Sequence, residues 1–288
     1  MLEIELNNSL LPKEFLSLVT IYYDNNKINF IVMKTLNITF LILVLLLLLS
    51  NNIFSQDDNK SQVYWIHEDP VYPSMVVDYE EAVKDLVFSC KKFNIQEANW
   101  LALSTDDLRY FYVTAIEKMG DLDKSRFANL KDKMDPDKFE KIFDTFDDSY
   151  DTHYDYIVHL DKELSYMPDG INIIKEGKPF RKLQYWYVTP QNFDKVIEIA
   201  KSFKALYERK NSKEHYTLYR SGFGAIGDYI MVAIAAKSPE DYERVYRENK
   251  ELLGEEGDKL YAELINTIIK VEILEGYIRL DLSYFPEK

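Results

Sequence analysis

Apolar positions recur along this chain with two different spacings, and the order of the spacings predicts a repeated α+β architecture. Short runs of aromatic and β-branched residues, beginning with Val63–His67, predict strands. Between the runs, apolar residues recur every three or four positions, which predicts amphipathic helices. The first such helix carries its apolar stripe from Val76 to Cys90. Strand-like and helix-like segments follow one another as β-α-β-β-α-β, and this order occurs twice.

The first copy contains four predicted strands and two helical regions. After Val63–His67, its remaining strands are predicted at Trp100–Leu103, Tyr110–Val113 and Tyr156–Leu160. The second helical region extends from Leu122 to about Phe146. We expect it to break near Met134, because Asp135-Pro136 has the pattern of an N-cap followed by proline in the first helical turn.

The second copy repeats this order. Its strands are predicted at Leu183–Val188, Tyr216–Arg220, Tyr229–Ala236 and Glu275–Leu280. One helix carries an apolar stripe from Phe193 to Tyr207. A capping box at Ser238–Asp241 begins a second helical stretch that extends to about Lys270. Gly254–Gly257 interrupts that stretch, as Met134 does in the first copy.

Short segments that are identical or nearly so support a duplication. Two pairs recur at nearly constant offset, namely Tyr64-Trp65 with Tyr185-Trp186, and Leu164–Pro168 with Leu282–Pro286. Self-similarity at a fixed period identifies the structural unit. We therefore assign residues 56–168 to a first repeat, 169–182 to a linker and 183–288 to a second repeat. We interpret the recurring Leu-Ser-Tyr-x-Pro tail as a structural latch, since a duplicated latch would be kept for the same reason in both copies.

The strand pattern predicts how the two repeats pack. The order β-α-β-β-α-β is the ferredoxin-like unit, whose helices cover one face of a four-stranded sheet. Strands with one wet face alternate apolar and polar residues, but Tyr110–Val113 and Tyr229–Ile234 do not. Both faces should therefore be buried. We expect the two sheets to face each other, with the helices outside, as an α/β barrel within one chain.

The first 55 residues have the pattern of an export signal. Met33-Lys34 precedes an apolar run from Phe40 to Leu49, and Ser55 offers a small residue for cleavage. The run is shorter than the roughly 18 to 20 residues of a membrane-spanning helix. We expect residues 33–55 to be a cleaved signal peptide, with an uncleaved anchor as the alternative, and residues 1–32 to be an upstream extension that is not translated. The mature protein would be periplasmic or secreted, with no stable membrane insertion.

Charge and cysteine content narrow the classes of partner. The net charge is −14, and it becomes −13 once the three basic and four acidic residues of 1–55 are removed. An acidic chain is unsuited to nucleic acid, whose phosphates require Lys and Arg, and to anionic lipid. Cys90 is the single cysteine, so no internal disulfide can form.

The element order, the duplication and the run Tyr216–Gly222 before a hairpin resemble the dimeric α/β-barrel superfamily. That group includes antibiotic-biosynthesis-type monooxygenases, NIPSNAP-like proteins and chlorite-dismutase-like haem proteins. The resemblance implies that two units, usually two subunits, are here joined in one chain. The superfamily hosts many unrelated functions, and none of its catalytic residues can be carried over to a position in this sequence. A haem held by a histidine is implied only for part of the group.

Several residues are candidates for a site. Three histidines lie in or beside predicted strands and could ligate iron or act as a general base, namely His67, His159 and His215. The ordinary alternative is a hydrogen-bonded histidine at a strand end. Arg220 could bind a ligand carboxylate with its planar guanidinium, or could pair with a surface acid. The aromatic lining of a cleft is predicted to include Trp65, Trp100, Tyr187 and Tyr219.

Motifs for metal or nucleophilic chemistry are not found. Asp147 begins an acidic segment, but Thr152 stands where an EF-hand loop requires glycine, so we predict no metal site. No Walker loop, paired cysteines or His-Glu-x-x-His motif is present. We therefore predict an exported protein that binds a small apolar or planar ligand, and that can also form an oligomer. A cofactor-independent monooxygenase or haem-handling enzyme, and an envelope interaction module, are the alternatives.

Overall fold

Eight antiparallel strands close into a barrel in residues 61–287, the part of the chain that the computed structural model describes. The strands are β1 (Ser61–Pro70), β2 (Leu101–Thr105), β3 (Arg109–Ile116), β4 (Tyr154–Tyr166), β5 (Phe180–Val188), β6 (Tyr216–Ser221), β7 (Asp228–Ala236) and β8 (Lys270–Ile278). The helices are α1 (Val76–Phe93), α2 (Ala128–Lys133), α3 (Pro136–Asp147), α4 (Phe193–Lys210) and α5 (Pro239–Ile265). The extension and signal peptide predicted for residues 1–55 lie outside the described residues.

The strand order confirms a tandem ferredoxin-like barrel. Around the barrel the order is β1-β3-β2-β8-β5-β7-β6-β4. Each repeat supplies one sheet, in the order β4-β1-β3-β2 for the first and β8-β5-β7-β6 for the second. Two seams, β2 with β8 and β4 with β6, join the sheets by antiparallel pairing. The α+β class and the intrachain barrel predicted from the sequence are therefore confirmed.

The strands bury both faces, as their lack of alternation predicts. On β1, Tyr64 and Ile66 belong to the cluster that fills the barrel interior, while Trp65 and His67 lie on the outer face, beneath the helices. On β3, Phe111 belongs to the interior cluster and Tyr110 packs with the helices. Because successive side chains point to opposite faces, one strand serves two apolar environments, and a polar residue on either face stands out as a candidate for function.

Two helices begin at side-chain N-caps. Asp135 accepts a hydrogen bond from the backbone nitrogen of Lys138 at 3.2 Å, and Pro136 follows it as the first residue of α3. Ser238 caps α5 in the same way, accepting from the backbone nitrogen of Asp241 at 3.3 Å. Both predicted caps are confirmed. The first repeat divides its second helical region into α2 and α3, whereas the second repeat keeps one longer helix.

The interruption predicted at Gly254–Gly257 is a kink inside α5. Gly254 has φ +59° and ψ −152°, a backbone region that is open essentially to glycine alone. Gly257 is helical, but a Cβ there would lie 2.7 Å from Cβ of Leu253. The two glycines therefore let the helix change direction and pack closely on itself. None of the helices in residues 61–287 is long and apolar enough to span a bilayer.

Strand boundaries differ from the sequence prediction at the second repeat. β5 begins at Phe180, inside the segment expected to be linker, and β8 begins at Lys270 rather than Glu275. Both extensions follow from barrel closure, because Phe180 pairs with Ala236 on one side and with Tyr277 on the other. Ladder pairing with neighbouring strands satisfies backbone groups, so the strands extend beyond their apolar runs.

Each Leu-Ser-Tyr tail fastens its own repeat onto the other one. Ser165 Oγ, at the end of β4, accepts from the backbone nitrogen of Leu218 in the second repeat at 2.9 Å. Ser283 Oγ accepts from the backbone nitrogen of Ala102 in the first repeat, also at 2.9 Å. The tyrosine of the second tail also bonds to the first repeat, since the hydroxyl of Tyr284 donates to the carbonyl oxygen of Cys90 at 3.1 Å. The structure thus agrees with the latch interpretation.

Candidate ligand-binding cavity of the first repeat

A cavity of about 340 Å³ lies between the outer face of the first-repeat sheet and the helices α1 and α3. Strand alternation builds its floor: the side chains at positions 65, 67 and 69 of β1 all point to the helix side. Tyr112 of β3 adjoins them, and Phe143 and Phe146 of α3 form the roof. The volume falls at the lower end of the range of small-molecule sites, which are concave and mostly apolar.

Aromatic rings form most of the cavity wall. Trp100 is buried, with 6% of its surface exposed, and its Nε1 donates to the carbonyl oxygen of Leu282 at 2.7 Å. Its ring makes edge contacts with Tyr112 and Phe127 at centroid distances of 6.5 and 6.1 Å. Such pairs favour offset and edge-to-face geometry. The ring contacts and the hydrogen bond of Trp100 therefore hold the wall in place before any ligand binds.

His67 forms the polar centre of the cavity and is held between two carboxylates. Its Nδ1 lies 3.0 Å from Oδ1 of Asp155, and its Nε2 lies 3.1 Å from Oδ1 of Asp69. Burial alone would lower the pKa of His67, but hydrogen bonds and charge from Asp155 and Asp69 outweigh it and raise the pKa to about 9. The ring is therefore an imidazolium cation at neutral pH.

Asp69 links this cation to a pair of tyrosines. Tyr79 donates to Oδ2 of Asp69 at 2.6 Å, and the hydroxyls of Tyr79 and Tyr112 lie 2.7 Å apart. Asp69 is 3% exposed, and its Oδ1 accepts no well-directed hydrogen bond from the described residues. Burial, followed by the nearby charges of Tyr112 and Asp69, raises the pKa of Tyr79 well above its ordinary value. Both tyrosines therefore remain neutral donors.

Arg126 supplies a second cation from the loop before α2. Its guanidinium lies 3.9 Å from the ring centroid of Trp65, a cation–π contact. One terminal nitrogen donates to the hydroxyl of Thr114 at 2.9 Å. Burial lowers the pKa of Arg126, and the charge of Asp155 partly opposes that effect. No described carboxylate lies within ion-pair distance of it, so its remaining donors are available to a ligand.

The other predicted polar candidates lie outside this cavity. His159 and Arg220 face each other across the β4–β6 seam. Nε of Arg220 lies 3.3 Å from Oδ2 of Asp161, and the side chain is 39% exposed. Burial and the charge of Arg220 lower the pKa of His159. The arrangement corresponds to the alternative in which the arginine pairs with an acid.

The remaining candidates are divided between the barrel interior and its ends. Tyr219 is in the interior cluster and makes an edge contact with Tyr64 at 6.2 Å. The hydroxyl of Tyr187 donates to Glu272 at 3.1 Å. His215 lines a pocket of about 50 Å³ and packs on Tyr166. Among the residues predicted for a site, only Trp65, His67 and Trp100 therefore share the first-repeat cavity.

Asp69, Asp155 and Arg126 complete the site but were not predicted for it from the sequence. Asp69 could have been found, because positions 67 and 69 lie on the same face of one strand. Asp155 is 88 residues from His67 along the chain, and only the β1–β4 pairing brings them together. Arg126 lies in a polar loop with no local pattern that marks it.

The histidines do not fit the haem that the fold family suggests. An axial histidine needs one ring nitrogen free for iron, but both nitrogens of His67 contact carboxylates. His159 and His215 do not line this cavity or the similarly large one in the second repeat. Nor does any group of three or more His, Cys, Asp or Glu side chains within residues 61–287 have an arrangement suited to a metal ion.

Comparisons with known proteins give structural matches only. An anthrone oxidase-like protein superposes with a TM-score of 0.52 at 12% identity, covering 76% of this chain and 91% of the other. A candidate monooxygenase from Lactobacillus acidophilus gives 0.47 at 8% identity, covering 78% and 96%. A haem-binding protein from Thermus thermophilus gives 0.39 at 9% identity, covering 77% and 92%.

No family model and no curated protein matches the sequence. The likeness to the anthrone oxidase-like protein extends over nearly the whole of that chain, so it includes both repeats. At this identity it carries the fold and not the chemistry. Together with the strand order and the two seams, it shows that this chain has a ferredoxin-like α/β-barrel fold, with both halves of the barrel supplied by one polypeptide.

Proposed function

We propose that the first-repeat cavity binds a small, planar, aromatic molecule that carries an oxygen substituent. The observation that carries this proposal is the contact between Arg126 and Trp65 at 3.9 Å inside a cavity walled by aromatic rings. The rings offer a flat apolar slot, and the guanidinium offers donors to an oxygen at its edge.

The charges that line the cavity favour a ligand without a net charge. Inside the cavity, the cations His67 and Arg126 are matched in number by Asp69 and Asp155, and Asp147 lies exposed at the rim. A charged ligand would add an uncompensated charge beside the apolar rings of the wall, at a cost in free energy. A neutral phenol or ketone satisfies Arg126 through its oxygen and leaves the pairing of Asp69 with His67 intact.

The test is a titration of the full chain with 2-naphthol and with naphthalene, followed by tryptophan emission. Trp65 and Trp100 line this cavity, whereas Trp186 lines the cavity of the second repeat. The variant Trp186→Phe therefore leaves the reporters in place. We expect 2-naphthol to bind this variant as tightly as it binds the wild type, and about tenfold more tightly than naphthalene, since one hydrogen bond to a charged group contributes about 1.5 kcal/mol or more.

Arg126→Met tests the residue that carries the proposal, and Arg220→Met is its matched control. The first substitution should weaken 2-naphthol binding about tenfold and leave naphthalene unchanged. The second removes an arginine that lies on the β4–β6 seam and should change neither. Equal affinity for the two ligands in the wild type, or no effect of Arg126→Met, would refute the proposal.

Oxygenation of the bound ligand is the second candidate function, favoured by the fold shared with an anthrone oxidase-like protein. His67 does not suit the role of general base, because both ring nitrogens contact carboxylates and its pKa is raised to about 9. We expect anthrone to bind without being oxidised faster than in buffer. Oxygen consumption that depends on the protein and is lost in Asp69→Asn would instead identify an oxygenase.

An interaction module is the remaining alternative. It is supported by a row of exposed apolar residues on the outer side of β8, namely Val271, Ile273 and Tyr277. Exposed apolar patches commonly mark contact surfaces. If neither 2-naphthol nor anthrone binds and Ile273→Glu converts an oligomer to a monomer in analytical ultracentrifugation, the interaction reading replaces ligand binding.

We further propose that the protein acts in the periplasm or outside the cell. Support comes from the order of a basic residue, a short apolar run and a small residue within 33–55. Intact-mass measurement on protein from the native envelope fraction should give a chain that begins at Gln56. A mass that includes residues 33–55 would show that the segment is retained.

A further inference from the structure

The second repeat contains a cavity of its own, of about 330 Å³. It lies between the outer face of the second sheet and the helices α4 and α5, which is the same place within the repeat as the first cavity. Aromatic side chains again contribute to its lining, and they include Trp186, Phe203, Tyr207, Tyr242 and Tyr246. The kink at Gly254 turns α5 so that Leu253 and Gly257 close one side.

A buried carboxyl group, that of Glu214, lies against this cavity. Only 3% of Glu214 is exposed. Its Oε2 accepts hydrogen bonds from the hydroxyl of Tyr207 at 2.7 Å and from Nδ2 of Asn249 at 2.9 Å. Asn249 is itself held, because its Oδ1 accepts from the hydroxyl of Ser212 at 2.6 Å. These contacts fix the orientation of the carboxyl group and use only one of its two oxygens.

The second oxygen, Oε1, is buried without any hydrogen-bond partner among the described residues. Buried polar atoms in folded proteins are nearly always paired, and leaving one unpaired costs about 1 to 3 kcal/mol. Burial raises the pKa of Glu214, against the hydrogen bonds from Tyr207 and Asn249 that lower it. The site thus preserves an acceptor that the protein itself does not satisfy.

No described cation compensates Glu214 by an ion pair. Lys182, which also lines the cavity, pairs with Glu275 instead, and its Nζ lies 5.2 Å from the ring centroid of Tyr242. That contact shows that the aromatic wall can hold an ammonium group, as expected for a ring face. Lys250 lines the cavity as an exposed side chain.

We propose that the second-repeat cavity binds a small organic cation, a primary ammonium attached to an apolar or aromatic body. The ammonium donates to Oε1 of Glu214, and the body packs on the rings of the wall. A protonated amine supplies both things that Glu214 lacks, a hydrogen-bond donor and a positive charge. The inference concerns a different cavity from the one in the proposed function and does not depend on it.

Calorimetric titration of the full chain with benzylamine, benzyl alcohol and benzoate at neutral pH tests the charge preference. The three probes share one ring and differ in the charge of the substituent. We expect benzylamine to bind at least tenfold more tightly than benzyl alcohol, and benzoate not to bind. Equal binding of amine and alcohol, absence of amine binding, or preference for benzoate would each overturn the proposal without any variant.

Glu214→Gln then tests the residue, with Glu243→Gln as the matched control. Glu243 lines the same cavity but is exposed, so its substitution removes the same charge from the rim. Glu214→Gln should lower the affinity for benzylamine at least tenfold, to the level of benzyl alcohol, while Glu243→Gln should change it less than twofold. Circular dichroism confirms that each variant is folded. Retained amine binding in folded Glu214→Gln would contradict the assignment.

Discussion

The two repeats build cavities in the same place, but the buried carboxylate of the first has a cationic partner and that of the second has none. In the first, the buried carboxylate of Asp69 faces the imidazolium of His67 at 3.1 Å, so the protein supplies both partners. In the second, Glu214 has two neutral donors on one oxygen and none on the other. The first cavity pairs its buried carboxylate with a cation and suits a neutral ligand, whereas in the second no described cation pairs with Glu214, although Lys182 and Lys250 line the cavity.

Sequence offsets show where the two copies diverge. The offset that relates Tyr64-Trp65 to Tyr185-Trp186 places Val188 opposite His67 and Pro190 opposite Asp69. The tryptophan that forms each cavity floor is kept, and the charged pair beside it is not. Duplication has therefore retained the residues that build the sheet and its helix contacts while the polar side chains changed. Scaffold and chemistry are separable in this fold.

The largest expected effect concerns the pH dependence of His67. Its pKa is about 9 when folded and about 6.5 when unfolded. The ion pair therefore contributes fully below pH 6.5 and is lost as pH rises through 9, a change of about 3 kcal/mol. In urea unfolding at pH 6, 8 and 10, the stability difference between wild type and His67→Gln should shrink as pH rises. A constant difference would contradict the charged state.

His215 sharpens that comparison, because the shift has the opposite sign. Burial, with the charges of Lys175, Lys178 and Lys213, lowers the pKa of His215 against an opposing effect of Asp169. The unfolded state then binds more protons below pH 6.5, so the stability of the wild type relative to His215→Gln should rise with pH in that window. If the stability differences of the His67→Gln and His215→Gln variants changed with pH in the same direction, the ion pair would not be the cause of the pH dependence.

The next effect concerns the kink that shapes only the second cavity. Gly254→Ala forces alanine into φ +59° and ψ −152° and should cost about 2 kcal/mol. It should also weaken benzylamine binding and leave 2-naphthol binding unchanged. Gly177→Ala is the matched control, since Gly177 has φ +68° and, like Gly254, no atom within 4 Å of an added Cβ, but it lies outside both cavities. It should lower stability without changing either affinity.

The smallest effect is expected where the repeats are alike. Ser165→Ala and Ser283→Ala each remove the acceptor of one backbone N–H across a seam, and each should cost about 1 kcal/mol in urea unfolding. The double variant should cost the sum, because the serines act at different seams. Neither should alter ligand affinity. Strongly unequal costs would show that the two latches are not equivalent.

The sequence predicts the scaffold better than the sites, for physical reasons. Periodicity and capping depend on residues within one turn or strand, so Asp135 and Ser238 mark their helices correctly. Barrel closure follows from strands such as Tyr110–Val113, which have no face that could be wet. The partners of His67 and the isolation of Glu214 instead depend on contacts between distant segments.

Glu214 illustrates this limit. In the sequence it is an acidic residue beside Lys213 and His215, which is the pattern of a solvated loop. The structure buries it because Tyr207 of α4 and Asn249 of α5 approach from two sides. Arg220 shows the converse, since its position near a hairpin suggested a ligand contact and the structure places it beside Asp161.

A calorimetric titration of benzylamine into the full chain, first alone and then saturated with 2-naphthol, tests the central claim most directly. If the two cavities are separate and only the second binds a cation, benzylamine should bind with the same affinity and one-to-one stoichiometry in both titrations. Loss of benzylamine binding in the presence of 2-naphthol would mean that the two probes share one site, and would contradict the account.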